Sequence, residues 1–327
     1  MTEGSESDRN PDPISLIVSE SHSGQRMDRA LAEALDIPRS RVASWIMQGR
    51  IYIDEEPARR PSQKVREGSR VSISPPEPVE PELIPEPMDL DVLYEDKDLI
   101  VIDKAAGLVV HPGPGHSTGT LVHGLLHHCG DLAGVGGVLR PGIVHRLDRG
   151  TSGVMVAAKN DLTHNGLSVQ FHDHSIERIY NAFVRGAPQT DEGVVDQPIG
   201  RHLRDRKKMS TRSRSGRRAL TRWRSLEKFP DKATTLLEVR PETGRTHQIR
   251  VHLASVGLPI HCDEVYGRAR KGRLLGLPSL GRPALHARVL GFTHPRTSEL
   301  LRFEAPFPPD LQDWLKVLRS EIGEGQR

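Results

Sequence analysis

Apolar residues recur at helical spacing at Met27, Ala30, Leu31, Ala34 and Leu35, and again at Val42, Trp45 and Ile46. Two helices are predicted there, the second opened by Pro38 and closed by Gly49. Short apolar runs at 14–18, 51–53 and 71–73 read as strands around them. Further on, 99–102 reads as a buried strand, 121–128 as a helix, and 143–144 as the end of a strand. Strands follow at 154–158, 177–183 and 236–239, with helices at 161–172 and 308–319. In the segment 243–252, alternation puts Ile249 and Val251 on one side and Arg250 on the other. Strands outnumber helices in this larger part, and connections of hairpin length suggest an α+β fold on a mostly antiparallel mixed sheet.

Composition adds boundaries. Of 327 residues, 35% are hydrophobic and 27% charged, so part of the chain is expected to be tail or linker. Residues 1–13 are polar and acidic, and 320–327 should fray. From Pro75 to Asp98 there are nine acids, one lysine and recurrent prolines. A stiff, extended linker is set at 75–90, between a small domain at 14–74 and a large one at 91–319. It should hold the two apart and should not bind nucleic acid. Two distant cysteines fit a reducing compartment. The absence of a long apolar run or leader predicts a cytoplasmic chain off the membrane.

Charge is informative by its distribution, since the net is only +3. Residues 25–74 hold ten basic residues against seven acids, with Arg26, Arg29, Arg39 and Arg41 near the helix starts, where phosphates also meet free amides. Residues 201–224 hold eleven Arg or Lys and one acid. That run, including Arg212, Arg214, Arg217 and Arg218, is expected to be a flexible arm for phosphates, because so dense a charge repels itself without an anionic partner.

The sixteen histidines show no spacing for a metal, and the glycines before Thr120 lack the lysine of a nucleotide-binding loop. His145-Arg-Leu-Asp148 superficially matches a kinase catalytic loop, but the order is wrong and the partner motifs are absent. By spacing alone, Asp148 reads equally as a site carboxylate or as an Asp paired with its neighbours Arg146 and Arg149.

His145-Arg-Leu-Asp-Arg-Gly-Thr-Ser-Gly153 resembles the catalytic motif of RluA-family pseudouridine synthases. The stretches 104–113, 243–252 and 284–295 resemble further motifs of that family, in its order. Residues 25–74 resemble an S4 RNA-binding domain. The resemblance implies an RNA-modifying isomerase without cofactor or metal. It assigns Asp148 to the sugar C1′ region, Arg250 to holding that carboxylate, and Tyr180 to a place beside the target base. Arg146 is expected to face RNA. A carboxylate in a closed pocket needs an opposite charge to remain ionised, which is the physical sense of the Arg250 assignment. The S4 domain and the segment 135–142 look most like members acting on large-subunit ribosomal RNA. Transfer RNA is the rival substrate, and a non-catalytic ribosome-assembly factor or a metal-dependent hydrolase the rival function. A monomer is expected.

Overall fold

The computed structural model of the chain describes residues 13–75, 83–113, 115–130, 132, 135, 141–205, 208–213, 215–229, 233–267 and 277–320. Nearly all of the expected tail and frayed end lies outside these residues, as do 76–82 of the linker, Arg214 and most of 135–142. The chain divides into two compact units, Met1–Pro81 and Glu82–Arg327.

The small unit runs β1 (Ile14–Ile17), α1 (Met27–Ala34), α2 (Arg39–Met47), β2 (Ile51–Ile53), β3 (Glu56–Pro57) and β4 (Arg70–Ile73). Its four strands lie in the order β1-β4-β2-β3, all antiparallel. Met27, Leu31, Val42, Ile46, Ile51 and Val71 close one core between helices and sheet. Each such side chain contributes roughly 1.5–3 kcal/mol by leaving water.

The large unit runs β5 (Val92–Glu95), β6 (Leu99–Lys104), α3 (Leu121–Cys129), β7 (Ser152–Ala158), α4 (Asp161–His172), β8 (Glu177–Arg185) and β9 (Glu192–Asp196). It continues with β10 (Gly200–Arg201), β11 (Met209–Ser210), β12 (Leu220–Phe229), β13 (Thr234–Pro241) and α5 (Gln248–Ser255). β14 (Leu285–Thr293), β15 (Leu300–Glu304) and α6 (Pro309–Ser320) complete it. Nine strands form one sheet in the order β5-β6-β7-β14-β8-β13-β12-β9, with β15 beside β14. Among the described strand pairs only β7–β14 is parallel, so the sheet is mixed and mostly antiparallel. Gly153 makes that parallel pairing feasible. Its φ is +119°, and a Cβ there would stand 2.1 Å from the Ala287 carbonyl oxygen.

Local chemistry accounts for the helices around the sheet. The α4 start is capped by the Asn160 side chain, which accepts from the Thr163 amide. Thr120 and His123 form a reciprocal cap at α3. α6 buries Leu311, Trp314 and Leu318 at helical spacing. Two cores result, one around β6, β7 and α3 and the other around β8, β13, α5 and α6. Tyr180 packs against both.

Four expectations need correction. Residues 143–144 are loop, with a single bridge from Ile143 to Ala157, because Pro141 and Gly142 (φ +70°) break the run. Arg250 lies on a helix. Gln248 to Leu253 are all buried, so α5 has no polar stripe, and its Ile-Arg-Val order mimics a strand. The acidic linker reading extends too far. Glu86, inside the span set at 75–90, takes the His123 carbonyl with its amide (3.1 Å) and the Gly119 amide with its carboxylate (2.9 Å). Lastly, 201–224 is not one flexible arm. β10 and β11 pair as a hairpin, and 220–224 lies in β12, where buried Thr221 and Trp223 set the inward side. Arg222 and Arg224 face outward and pair with Glu242 and Glu238.

Candidate active site

The loop 141–151 is pinned at several points before it reaches β7. Val156 donates its amide to His145 Nε2 (3.1 Å), and the His145 ring stacks on Phe171 at 4.5 Å. Arg149 exchanges backbone and side-chain hydrogen bonds with Gly107. Leu147 is buried, and Thr151 donates its amide to the Asp148 carbonyl at 3.0 Å. These anchors hold Asp148, itself half-buried, toward a cleft of about 510 Å³.

Arg250 enters the cleft from α5. Its Nε and one terminal nitrogen donate to the two Asp263 oxygens at 2.7 and 2.9 Å, and its other terminal nitrogen donates to Asp148 Oδ2 at 3.0 Å. The Tyr266 ring covers the guanidinium at 5.1 Å. Burial alone would lower the Arg250 pKa, but the bonded Asp263 and Asp148 carboxylates more than reverse it. Asp263 is lowered in turn, because Arg250 outweighs the burial that would raise it. A planar, doubly anchored donor therefore presents one N–H to Asp148. His247 Nε2 approaches the same Oδ2 at 3.9 Å. Among the described residues no hydrogen bond meets Oδ1, which leaves that oxygen to the cleft.

Tyr180 stands on β8 opposite Ala287 and Val239 and lines the cleft with Asp148. Burial raises its pKa, against Arg178 and with Asp148, so the phenol is neutral near pH 7. Arg178, two residues before it on the same face, is lowered by burial. It donates to the Glu242 carbonyl at 3.0 Å, and its buried Nε has no hydrogen-bond partner among the described residues. His145 is pushed down to about 3 by burial and then by Arg178, so its ring is neutral. Lys104, at the end of β6, is 1% exposed and donates to the Ala105 and Leu108 carbonyls at 2.7 and 3.0 Å. Burial pushes it down to about 8, with Asp148 opposing.

The structure thus brings Asp148, Tyr180 and Arg250 to one cleft, with Arg146 exposed at its wall. His247 and Arg178 line it too, and Asp263 and Tyr266 brace Arg250 behind it, with Lys104 buried at the end of β6. Lys104 falls in a stretch whose pattern pointed to the site, and Arg178 precedes Tyr180 at strand spacing. Asp263 and Tyr266 carry no local signal, since only the tertiary fold sets them against Arg250. In the small unit, Arg26 and Arg39 both bond the buried Asp28 (3.1 and 2.9 Å) yet stay half-exposed, Arg29 pairs with Glu33, and Arg41 is exposed. Arg212, Arg217 and Arg218 are exposed on the large unit.

One group of metal-type ligands occurs among the described residues, Asp96, Asp98 and His294. Arg296 already bonds Asp98 there (2.8 Å), and His294 bonds Asp96 (3.1 Å), so the group reads as an ion-pair network.

Residues 98–255 match the RNA pseudouridylate synthase family and residues 25–71 the S4 domain. The chain is 44% identical over 308 residues to an uncharacterized RNA pseudouridine synthase of Bacillus subtilis, covering 94% of this chain and 98% of that one. It is 43% identical over 309 residues to ribosomal large subunit pseudouridine synthase D of Zymomonas mobilis, covering 93% and 96%. Among solved structures, human RNA pseudouridylate synthase domain containing 4 superposes with a TM-score of 0.55 at 30% identity, covering 70% of this chain and 93% of that one.

Proposed function

The chain belongs to the RNA pseudouridine synthase family, and from that premise we propose that it isomerises uridines in large-subunit ribosomal RNA, with Asp148 acting at the sugar C1′. The ribosomal substrate is supported by the relatives named for the large subunit and by the S4 unit. The observation that carries the catalytic reading is the Asp148–Arg250 pair on the wall of a cleft shared with Tyr180.

The reaction breaks the N1–C1′ bond of uridine and joins C1′ to C5 instead. It is redox-neutral and transfers no group to a carrier. A stacked base is out of reach, so the nucleotide is flipped into the cleft. As the N1–C1′ bond opens, C1′ becomes electron-poor, and Asp148 Oδ1 meets it while Arg250 holds Oδ2. The neutral Tyr180 ring gives uracil a face to stack on during its rotation; its hydroxyl relays the proton that leaves C5 to solvent, and N1, released from C1′, takes up a proton in its place. Exposed arginines of the S4 unit and of 212–218, with Arg146, meet the phosphates.

The test is to map pseudouridines in total RNA from cells with and without this gene. Sites lost from large-subunit ribosomal RNA support the reading; sites lost only from transfer RNA move the substrate to the rival class.

A further inference from the structure

A hydrogen-bonded path leads from the β10–β11 hairpin to His247, whose ring faces Asp148, through residues to which the reaction above gives no role. The hairpin pairs Gly200 with Ser210 and Arg201 with Met209, and carries Arg204 exposed and Lys208 half-exposed. At its base the Met209 amide donates to the Tyr266 phenol oxygen at 2.8 Å. Met209 and Tyr266 also both pack against Ile199, Ala219 and Val251, which seats the base of the hairpin and the phenol on one apolar cluster. The phenol oxygen lies 2.8 Å from His247 Nδ1. That oxygen accepts the Met209 N–H and keeps its own proton to give, and in the tautomer that uses it the phenol donates to Nδ1. A neutral ring that accepts at Nδ1 carries its own proton on Nε2. Nε2 faces Asp148 Oδ2 at 3.9 Å, so a shift of about 1 Å closes a hydrogen bond.

The ring's surroundings favour its neutral form. Burial lowers the His247 pKa, Arg250 on its own helix and Arg146 from the loop lower it further, and Asp148 and Asp263 oppose. His247 is also fixed by its backbone, since it caps α5 in the left-handed region at φ 56°. Both it and Arg250 address Oδ2, so closing the gap would fix the carboxylate plane and aim Oδ1 at the bound sugar.

We propose that RNA phosphates seated on the β10–β11 hairpin position Asp148 through Met209, Tyr266 and His247. Tyr266 and His247 are positioning residues, and the hairpin is a phosphate sensor for the cleft. The inference rests on the reading of Asp148 given above.

A double-mutant cycle at saturating RNA, read as the single-turnover rate, tests it. Tyr266→Phe keeps the ring over Arg250 and removes the O–H. Its rate should fall about tenfold or more, with RNA Kd changed by less than about threefold. His247→Asn tolerates the left-handed backbone and stops short of Asp148, so it should reproduce that loss. Arg204→Ala with Lys208→Ala should lower the saturated rate in the wild-type background and leave it unchanged in Tyr266→Phe. A wild-type rate in Tyr266→Phe, or losses that multiply, would overturn the coupling and leave the hairpin as a binding element alone. Product formation by Asp148→Asn would instead overturn the reading of Asp148, whatever the cycle shows.

Discussion

Arg250 reaches Asp148 at 3.0 Å from 102 residues further along the chain, and does so with the one side of its guanidinium that Asp263 leaves free. The carboxylate in the cleft is therefore held by a donor that is itself held. A point charge would give Asp148 attraction without a fixed direction.

Arg250→Lys tests that distinction. The ammonium keeps the charge but cannot bridge Asp263 and Asp148 in one plane. The rate should fall about 10²–10³-fold with little change in RNA Kd, and Asp263 is left imperfectly paired, so stability drops as well. Asp263→Asn should lower the rate in the same direction, because it loosens Arg250 without touching Asp148. Turnover at wild-type rates in both variants would show that the pairing has no part in the reaction.

The arginines of 212–218 carry a second prediction. Replacing Arg212, Arg214, Arg217 and Arg218 with Ala should weaken binding to all RNAs alike. The log–log salt slope should shrink by roughly one unit per lost contact, about 3 to 4 if all four engage. The modified sites should stay the same. Binding measured from low to high salt on specific and unrelated RNAs checks this, and an unchanged slope would remove the segment from the interface.

A third prediction concerns acid stability. Arg296 holds the buried Asp98 carboxyl down to about 2, against burial and with help from Asn160. A carboxyl depressed on folding stabilises the protein above its unfolded pKa and loses that contribution as pH falls toward the folded value. Arg296→Ala should therefore lower the thermal midpoint at pH 7, and the gap to wild type should close between about pH 4 and pH 2. A pH-independent gap would mean that the loss comes from packing.

At the β7–β14 junction, Gly153→Ala places a methyl against the Ala287 carbonyl in a backbone region that disfavours a side chain. The cost should be about 2–4 kcal/mol in denaturant unfolding. Since β7 follows the Asp148 loop directly, activity should fall along with stability. An unchanged unfolding midpoint would show that the strands part easily there.

Much of this arrangement was legible in the chain because it is locally encoded. The α1 helix declares itself by apolar spacing, and the stretch 145–153 carries Asp148 in consecutive residues. Arg250 was found by pattern but placed on the wrong element, because a helix buried on every side shows no stripe and its Ile-Arg-Val order imitates a strand. The basic run misled for a different reason. Charge count hides alternation, and Thr221 and Trp223 decide the structure of 220–224 while Glu238 and Glu242 neutralise its arginines. Asp263, Tyr266 and His247 became visible as a network only when the fold brought them beside Asp148.

The central claim is that the Asp148 carboxylate acts on the sugar, and Asp148→Asn tests it most directly. The amide keeps the shape and removes the charge. With purified protein and substrate RNA under single-turnover conditions, no pseudouridine should form above background, while RNA Kd changes by less than about tenfold, or 1.4 kcal/mol. Pseudouridine formed by the variant at a rate near wild type would contradict the account.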